Sequence, residues 1–84
     1  MERHKELLVN TMEECGELIQ ACSKVIRSNG KSKYLDNLRD EIGDVILMIE
    51  LMKQYGYVTE DDIKERMIIK EAKLKKWSNL YARP

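Results

Sequence analysis

Apolar residues in the first third of the chain recur with the period of an α-helix. Their spacings alternate between four and three, and they form one stripe made of Leu8, Met12, Cys15, Ile19, Cys22 and Ile26. This stripe is widened on one side by Leu7, Leu18 and Val25. We therefore predict a first helix over about residues 2–28, ending at Asn29-Gly30, a common helix stop.

A polar loop, residues 29–33, separates this helix from a second apolar pattern. The second helix is predicted over about residues 34–55, with a stripe made of Leu35, Leu38, Ile42, Val45, Ile46 and Ile49. Within residues 45–52 only Glu50 is polar. A helix that is apolar on every side is buried on every side, and in so short a chain this predicts burial against another subunit.

A third helix is predicted to begin at Thr59 and to continue to about Leu80. Thr59 is a favourable N-cap, and the acidic residues 60–62 suit the positive end of the helix dipole. The short loop between the first two helices favours an antiparallel hairpin. The predicted fold is therefore all-α, an antiparallel helical hairpin plus a third helix, assembling into a four-helix-bundle-type dimer or a higher oligomer.

Length and charge restrict the class of protein. Eighty-four residues allow a single domain, 1–84, with a marginal core of its own. Fifteen basic residues balance fifteen acidic ones, which disfavours a nucleic-acid-binding module. We find no signal peptide and no apolar run that could span a membrane. Cys15 and Cys22 are predicted to be buried, reduced thiols, as expected for a cytoplasmic protein.

Two acidic clusters share one order of residue types, namely acid, acid, apolar, Gly, acid. They are Glu13-Glu14-Cys15-Gly16-Glu17 and Asp40-Glu41-Ile42-Gly43-Asp44. Acidic pairs at i,i+3 spacing occur three times in the chain, and chance alone gives about two to three. The spacing of the acids therefore does not by itself indicate a functional site. The evidence for one is the position of each cluster relative to the apolar stripe of its helix.

The acids at the second and fifth positions of each cluster occupy equivalent places beside an apolar stripe. On a helical wheel Glu14 and Glu41 border the stripes, with Glu17 and Asp44 further round on the same side. Glu13 points nearly opposite the core. An acid at the edge of a core is costly to desolvate unless something compensates its charge.

Three interpretations of these acids remain open on this basis. They form a solvated acidic face, they pair with lysines of the third helix, or they hold a metal ion. For a metal site, oxygen ligands alone favour Mg²⁺ or Mn²⁺ over zinc. A di-iron centre would use Glu-x-x-His pairs, and the single histidine, His4, lies outside both clusters.

The two clusters together resemble the signature of the MazG-like all-α nucleoside triphosphate pyrophosphohydrolases. The matching pattern is Glu13-Glu14-x-x-Glu17, then 23 residues, then Glu41-x-x-Asp44. A similar apolar frame covers residues 7–27 and 38–53, and the resemblance extends over roughly residues 5–77.

The resemblance implies metal-dependent hydrolysis of a (deoxy)nucleoside triphosphate to the monophosphate and pyrophosphate by a homodimer or homotetramer. Glu14, Glu17, Glu41 and Asp44 match the positions of the Mg²⁺ ligands, which can also take Mn²⁺. Glu13 matches an acid that supports the ligands or orients water. The residues matched to the phosphate grip, from this or a neighbouring subunit, are Lys70 and Lys73.

Two alternative functions remain open. One is a related phosphoribosyl-ATP-type pyrophosphohydrolase on the same helical frame, and the other is a non-catalytic helical oligomerisation module. No motif for base recognition is evident. The aromatic residues considered for stacking on a base are Tyr34, Trp77 and Tyr81, each of which also suits simple packing.

Overall fold

A computed structural model describes residues 2–82 and shows three α-helices without a strand in that range. Helix α1 spans Arg3–Arg27, α2 spans Ser32–Gln54 and α3 spans Glu60–Trp77. The prediction of an all-α fold is confirmed. None of these helices is both long and apolar enough to cross a lipid bilayer.

The chain reverses direction between α1 and α2 through a helix stop at Asn29-Gly30. Asn29 has φ 55° and Gly30 has φ 77°, so both adopt the left-handed conformation. The Gly30 amide donates to the carbonyl oxygen of Val25 at 3.0 Å, and the Asn29 amide donates to that of Ile26 at 3.3 Å. This is the Schellman pattern, which satisfies carbonyls at the end of a helix. It lets α2 begin at Ser32, two residues earlier than predicted, and fold back along α1.

Helix α1 packs on α2 through the edge of its apolar surface, not through the predicted stripe. Leu7 and Ala21 are the buried residues of α1, and they lie on a row with half-buried Thr11, Glu14, Leu18 and Val25. The small Ala21 side chain, fully buried, allows the two helices to approach closely. The spacing of this row again alternates between four and three, so α1 carries two adjacent stripes, of which α2 covers one.

The stripe predicted as the core of α1 therefore faces solvent in the single chain. Met12, Ile19 and Ile26 keep 70–76% of their surface exposed. Cys15 and Cys22 are exposed free thiols, so the prediction that they are buried is wrong for this chain by itself. Helix α2 behaves in the same way, because part of its stripe is exposed, namely Ile42, Ile46 and Ile49.

Helix α3 begins with a capping box and projects away from the hairpin. The Thr59 hydroxyl accepts from the Asp62 amide at 3.1 Å, and the Asp62 carboxylate accepts from the Thr59 amide at 2.9 Å. Lys53 on α2 forms ion pairs with Glu50 and Glu60, which ties the start of α3 to the end of α2. The helix ends at Trp77, before the predicted Leu80, because Ser78 adopts an extended backbone.

The chain is extended for its size. Its radius of gyration is 15.5 Å, whereas a compact domain of this length has one of about 12 Å. It exposes 7047 Å², against roughly 5,200 Å² expected for a compact monomer of its mass. The short dimension of 15 Å corresponds to a single layer of helices. This chain alone therefore leaves much of its apolar surface without a partner.

Candidate metal centre

Four carboxylates meet at the middle of the α1–α2 hairpin. Glu14 and Glu17 extend from α1, and Glu41 and Asp44 extend from α2. One oxygen of each side chain lies within 4.8 Å of the corresponding oxygen of every other. Residues three apart share a helix face, so the antiparallel pairing of the helices brings the two acidic pairs together. The structure thus assembles all four residues that the sequence singled out as metal ligands.

The four carboxylates differ in their exposure. Glu14 and Glu41 are half-buried between the helices, whereas Glu17 and Asp44 are exposed. The Oε2 atoms of Glu14 and Glu41 are buried and have no hydrogen-bond partner. A buried polar atom without a partner costs free energy, the more so when it carries charge. The cluster therefore has an inner pair of carboxylates, each with an unsatisfied oxygen, and an outer pair that is open to solvent.

Burial and mutual repulsion raise the pKa of both inner carboxyls. For Glu14 burial is the largest cause, followed by the charges of Glu17 and Asp44. For Glu41 burial is again the largest cause, followed by a hydrogen bond with Glu17 and by the charge of Glu17. A divalent cation bound between them would counteract both shifts, because its charge favours the ionised form of the carboxyls.

No basic side chain of the described residues neutralises the cluster. The ion pairs found in residues 2–82 lie elsewhere, at Arg39–Asp36, Lys53–Glu50, Lys53–Glu60 and Lys75–Glu71. The interpretation in which lysines of α3 pair with these acids therefore has no contact within one chain to support it. The set of four carboxylates fits a hard divalent cation, for which oxygen is the preferred ligand atom.

The other residues predicted for the site lie outside the cluster. Glu13 is exposed, and its charge contributes only a small part of the raised pKa of Glu14. Lys70 and Lys73 are exposed on α3, which touches the hairpin sparsely, and neither forms an ion pair with the four carboxylates. Their suggested roles remain predictions.

An open cavity of about 320 Å³ lies on the hairpin towards the start of α1 and was not anticipated from the sequence. Its polar wall includes Asn10, and its far end includes Tyr55. Asn10 precedes Glu14 by four residues, so the helical period that placed the carboxylates could also have placed Asn10 on their face. No sequence pattern placed Tyr55 at this cavity, because its position at the end of α2 indicated only a helix terminus.

Comparison with known proteins identifies the family. A family model described as the MazG nucleotide pyrophosphohydrolase domain matches residues 2–77, which is most of the chain and includes all three helices and the whole carboxylate cluster. Neither the curated proteins nor the solved structures give a significant match. The signature acids, their convergence between α1 and α2 and the family match agree, and the chain belongs to the MazG nucleotide pyrophosphohydrolase domain family.

Proposed function

We propose that this protein hydrolyses a (deoxy)nucleoside triphosphate to the monophosphate and pyrophosphate, with Mg²⁺ as its cofactor and Mn²⁺ as a substitute. The family supports nucleotide pyrophosphohydrolase activity in general. The observation that carries the metal dependence is the carboxylate cluster, in which Glu14 and Glu41 each retain a buried oxygen without a partner. A solvated acidic face would not hold two carboxylate oxygens away from water.

Glu14, Glu17, Glu41 and Asp44 are the proposed ligands, since they offer only oxygen atoms and carry up to four negative charges. When bound there, a divalent cation supplies charge neutralisation at phosphate oxygens and lowers the pKa of a coordinated water. The exposed Glu17 and Asp44 mark the side open to a substrate, whereas Glu14 and Glu41 are held by the packing of the hairpin. Glu13 is exposed next to Glu14 in the chain, and its proposed role is to support the ligands or to orient water.

Lys70 and Lys73 are proposed to bind the phosphates of the substrate. They lie three residues apart and exposed on α3, so their side chains project from one face of that helix. Because α3 stands away from its own hairpin, we assign them to the site of a neighbouring subunit. Phosphate groups beyond the metal still require positive partners, and lysine supplies a flexible one.

The active form is proposed to be a homodimer or a homotetramer. The exposed stripe of α1 and the exposed isoleucines of α2 lie side by side on one surface of the hairpin, so two hairpins can form a four-helix bundle. The chain exposes about 1,800 Å² more than a compact monomer of its mass. A permanent homodimer buries an area of this order on each subunit.

The test is a panel of ribo- and deoxyribonucleoside triphosphates assayed for pyrophosphate release with Mg²⁺, with Mn²⁺ and with EDTA. We expect release from at least one nucleotide with either metal, the monophosphate as co-product, and no release in EDTA. Release of orthophosphate instead of pyrophosphate would contradict the proposal.

The same panel separates the alternative functions. Phosphoribosyl-ATP cleavage without activity on ordinary triphosphates would identify the phosphoribosyl-ATP type. An oligomerisation module would release no pyrophosphate from any nucleotide and would bind no stoichiometric Mg²⁺ by isothermal titration calorimetry.

A further inference from the structure

A basic cavity lies at the turn of the hairpin, at the opposite end from the cavity near the start of α1. Its volume is about 380 Å³, and it is lined by Lys24, Arg27, Ser28, Lys31 and Tyr34. Lys24 follows Glu17 by two helical turns along α1, which is about 10 Å. Tyr34 precedes Glu41 by the same interval along α2. The basic cavity is therefore separate from the metal centre.

No acidic residue balances the charge of the basic cavity. Lys24, Arg27 and Lys31 bring three positive charges to its lining, and none of them forms an ion pair within residues 2–82. Residues 18–35 contain four basic residues and no acidic one. An even spread of the fifteen acids of the chain would place about three in a stretch of this length. The cavity is thus a local excess of positive charge in a chain whose net charge is zero.

Helix dipoles account for two of these basic residues and not for the others. Lys24 and Arg27 lie in the last turn of α1, where positive charge is favourable. Lys31 is the N-cap of α2 and Lys33 lies in its first turn, where the helix dipole makes positive charge unfavourable. The first turn of α2 has no acid, and the Lys31 side chain makes no capping hydrogen bond. The sequence therefore places cations where they oppose local helix stability, and a bound anion would offset this effect.

Hydrogen bonds fix the backbone that carries these cations. Ser28 Oγ donates to the carbonyl oxygen of Val25 at 3.3 Å and accepts from the Lys31 amide at 3.2 Å. The Tyr34 amide donates to the carbonyl oxygen of Lys31 at 3.0 Å. The Lys33 ammonium lies 4.9 Å from the centroid of the Tyr34 ring. Because the backbone is already ordered, less entropy is lost when the cationic side chains converge on a ligand.

We propose that the basic cavity binds a diphosphate group, independently of the metal centre. Ammonium and guanidinium groups are common partners of phosphate, and arginine can bind two phosphate oxygens at once. One phosphate carries about −1.5 to −2 charges at neutral pH, so two linked phosphates match the three cations of the lining. The amides at the start of α2 add positive partial charge on the same side.

The diphosphate group has two sources, free pyrophosphate and the phosphate end of a nucleotide. Both present the same charged oxygens to the basic cavity. Binding requires no catalysis, so this inference stands or fails separately from the proposed function.

The test is isothermal titration calorimetry in EDTA, with inorganic pyrophosphate as the probe. Without a cation the four carboxylates repel pyrophosphate, so binding in EDTA reports a site other than the metal centre. Arg27→Gln and Lys31→Gln each remove one cation of the cavity. Arg66→Gln is the matched control, because Arg66 is an exposed arginine of α3 outside the cavity.

We expect about one pyrophosphate per chain, and an affinity at least about tenfold lower in Arg27→Gln and in Lys31→Gln, from a lost hydrogen bond between charged groups. The affinity of Arg66→Gln should stay within about twofold of wild type. A parallel titration with adenosine diphosphate separates the two sources. Tighter binding than that of pyrophosphate identifies a nucleotide as the ligand, and equal or weaker binding identifies the free anion.

Thermal unfolding in phosphate-free buffer supplies a second readout. Lys31→Gln should melt at the same temperature as wild type or above it, because it removes a cation from the start of α2. A lower melting temperature with unchanged affinity for pyrophosphate would assign Lys31 a structural role instead.

Several other results would overturn the assignment. They are the absence of binding to wild type in EDTA at millimolar pyrophosphate, equal affinity in wild type and both cavity variants, and an equal loss in Arg66→Gln. Loss of binding in the double variant Lys70→Gln and Lys73→Gln, with none in the cavity variants, would place the anion on α3. A single-stranded oligonucleotide that displaces pyrophosphate and binds more tightly would show a nucleic-acid surface instead. Pyrophosphate binding in EDTA by a protein that cleaves no nucleotide would reject the proposed function alone.

Discussion

Glu14 on α1 and Glu41 on α2 each hold one carboxylate oxygen, Oε2, away from solvent without a hydrogen-bond partner. They belong to one cluster in which all four carboxylates approach within 4.8 Å, and burial raises the pKa of both. This arrangement is unfavourable for the chain without a cation. Clusters of titratable groups with shifted pKa values are typical of functional sites, where the cost in stability is balanced by binding.

The first prediction concerns catalysis. Glu14→Gln and Asp44→Asn should each reduce pyrophosphate release below detection, because each removes a charged ligand atom while preserving side-chain size. Circular dichroism should show unchanged helix content. Glu65→Gln is the control, since Glu65 is an exposed acid of α3 outside the cluster, and it should retain wild-type activity. Full activity in either ligand variant would refute the assignment of the site.

The second prediction concerns metal and stability. Mg²⁺ should raise the melting temperature of the wild type, and at a hundredfold excess over its dissociation constant it contributes about 2.7 kcal/mol to the free energy of unfolding. In EDTA, Glu41→Gln should melt above the wild type because one repelling charge is gone. Thermal scans at fixed protein concentration test both points. A wild-type melting temperature that is the same in Mg²⁺ and in EDTA would exclude a preformed site.

The third prediction concerns pH. A carboxyl whose pKa is raised by folding stays protonated after its unfolded counterpart has ionised. Starting from the ordinary value of 4.5, the free energy of unfolding of the metal-free protein should therefore fall as pH rises through the raised pKa values of Glu14 and Glu41. Above those values the loss is complete.

The pH dependence is measured by thermal unfolding in EDTA at several pH values from 4.5 to 8. The double variant Glu14→Gln and Glu41→Gln should show a weaker decline than the wild type. Stabilisation by added Mg²⁺ should increase with pH over the same range, because the ion binds the deprotonated form. An equal decline in the double variant would assign the effect to other groups.

The fourth prediction concerns assembly. Met12→Lys and Ile46→Lys place a charge on the exposed stripes of α1 and α2, and each should shift the protein towards monomer in light scattering coupled to size exclusion. A buried unpaired charge at an interface is strongly destabilising. Ser23→Lys, at an exposed polar position of α1, is the control and should leave the oligomer intact. A wild type that is monomeric at all concentrations would contradict the proposed assembly.

Local features of the fold were predicted well from sequence because they depend on short-range chemistry. The helix stop at Asn29-Gly30 follows from the low cost of left-handed backbone at these residue types. The N-cap at Thr59 follows from its hydroxyl and the carboxylate of Asp62 three residues later. Helix periodicity placed Glu14, Glu17, Glu41 and Asp44 on adjoining faces, and the structure brings them together.

Which apolar stripe packs within the chain could not be predicted from periodicity. The stripe with Ile19 and the row with Ala21 lie side by side on α1 and have the same residue spacing. A helical wheel distinguishes them only by hydrophobicity, which favours the Ile19 stripe as the surface that packs on α2. The structure packs the row that contains Ala21 and Glu14 against α2, because the small side chain allows close approach. The exposed Cys15 and Cys22 follow from the same choice.

By itself the sequence determined the three helices, the helix stop at Asn29-Gly30, the N-cap at Thr59 and the four acids on adjoining helix faces, since each depends on residues within a turn or two of one another. Only the tertiary structure decided which face of α1 meets α2, that two carboxylate oxygens are buried without partners, and that residues of both helices line an open cavity towards the start of α1. These features depend on the register and the distance between two helices. That geometry arises from packing across the hairpin, which no pattern along one helix encodes.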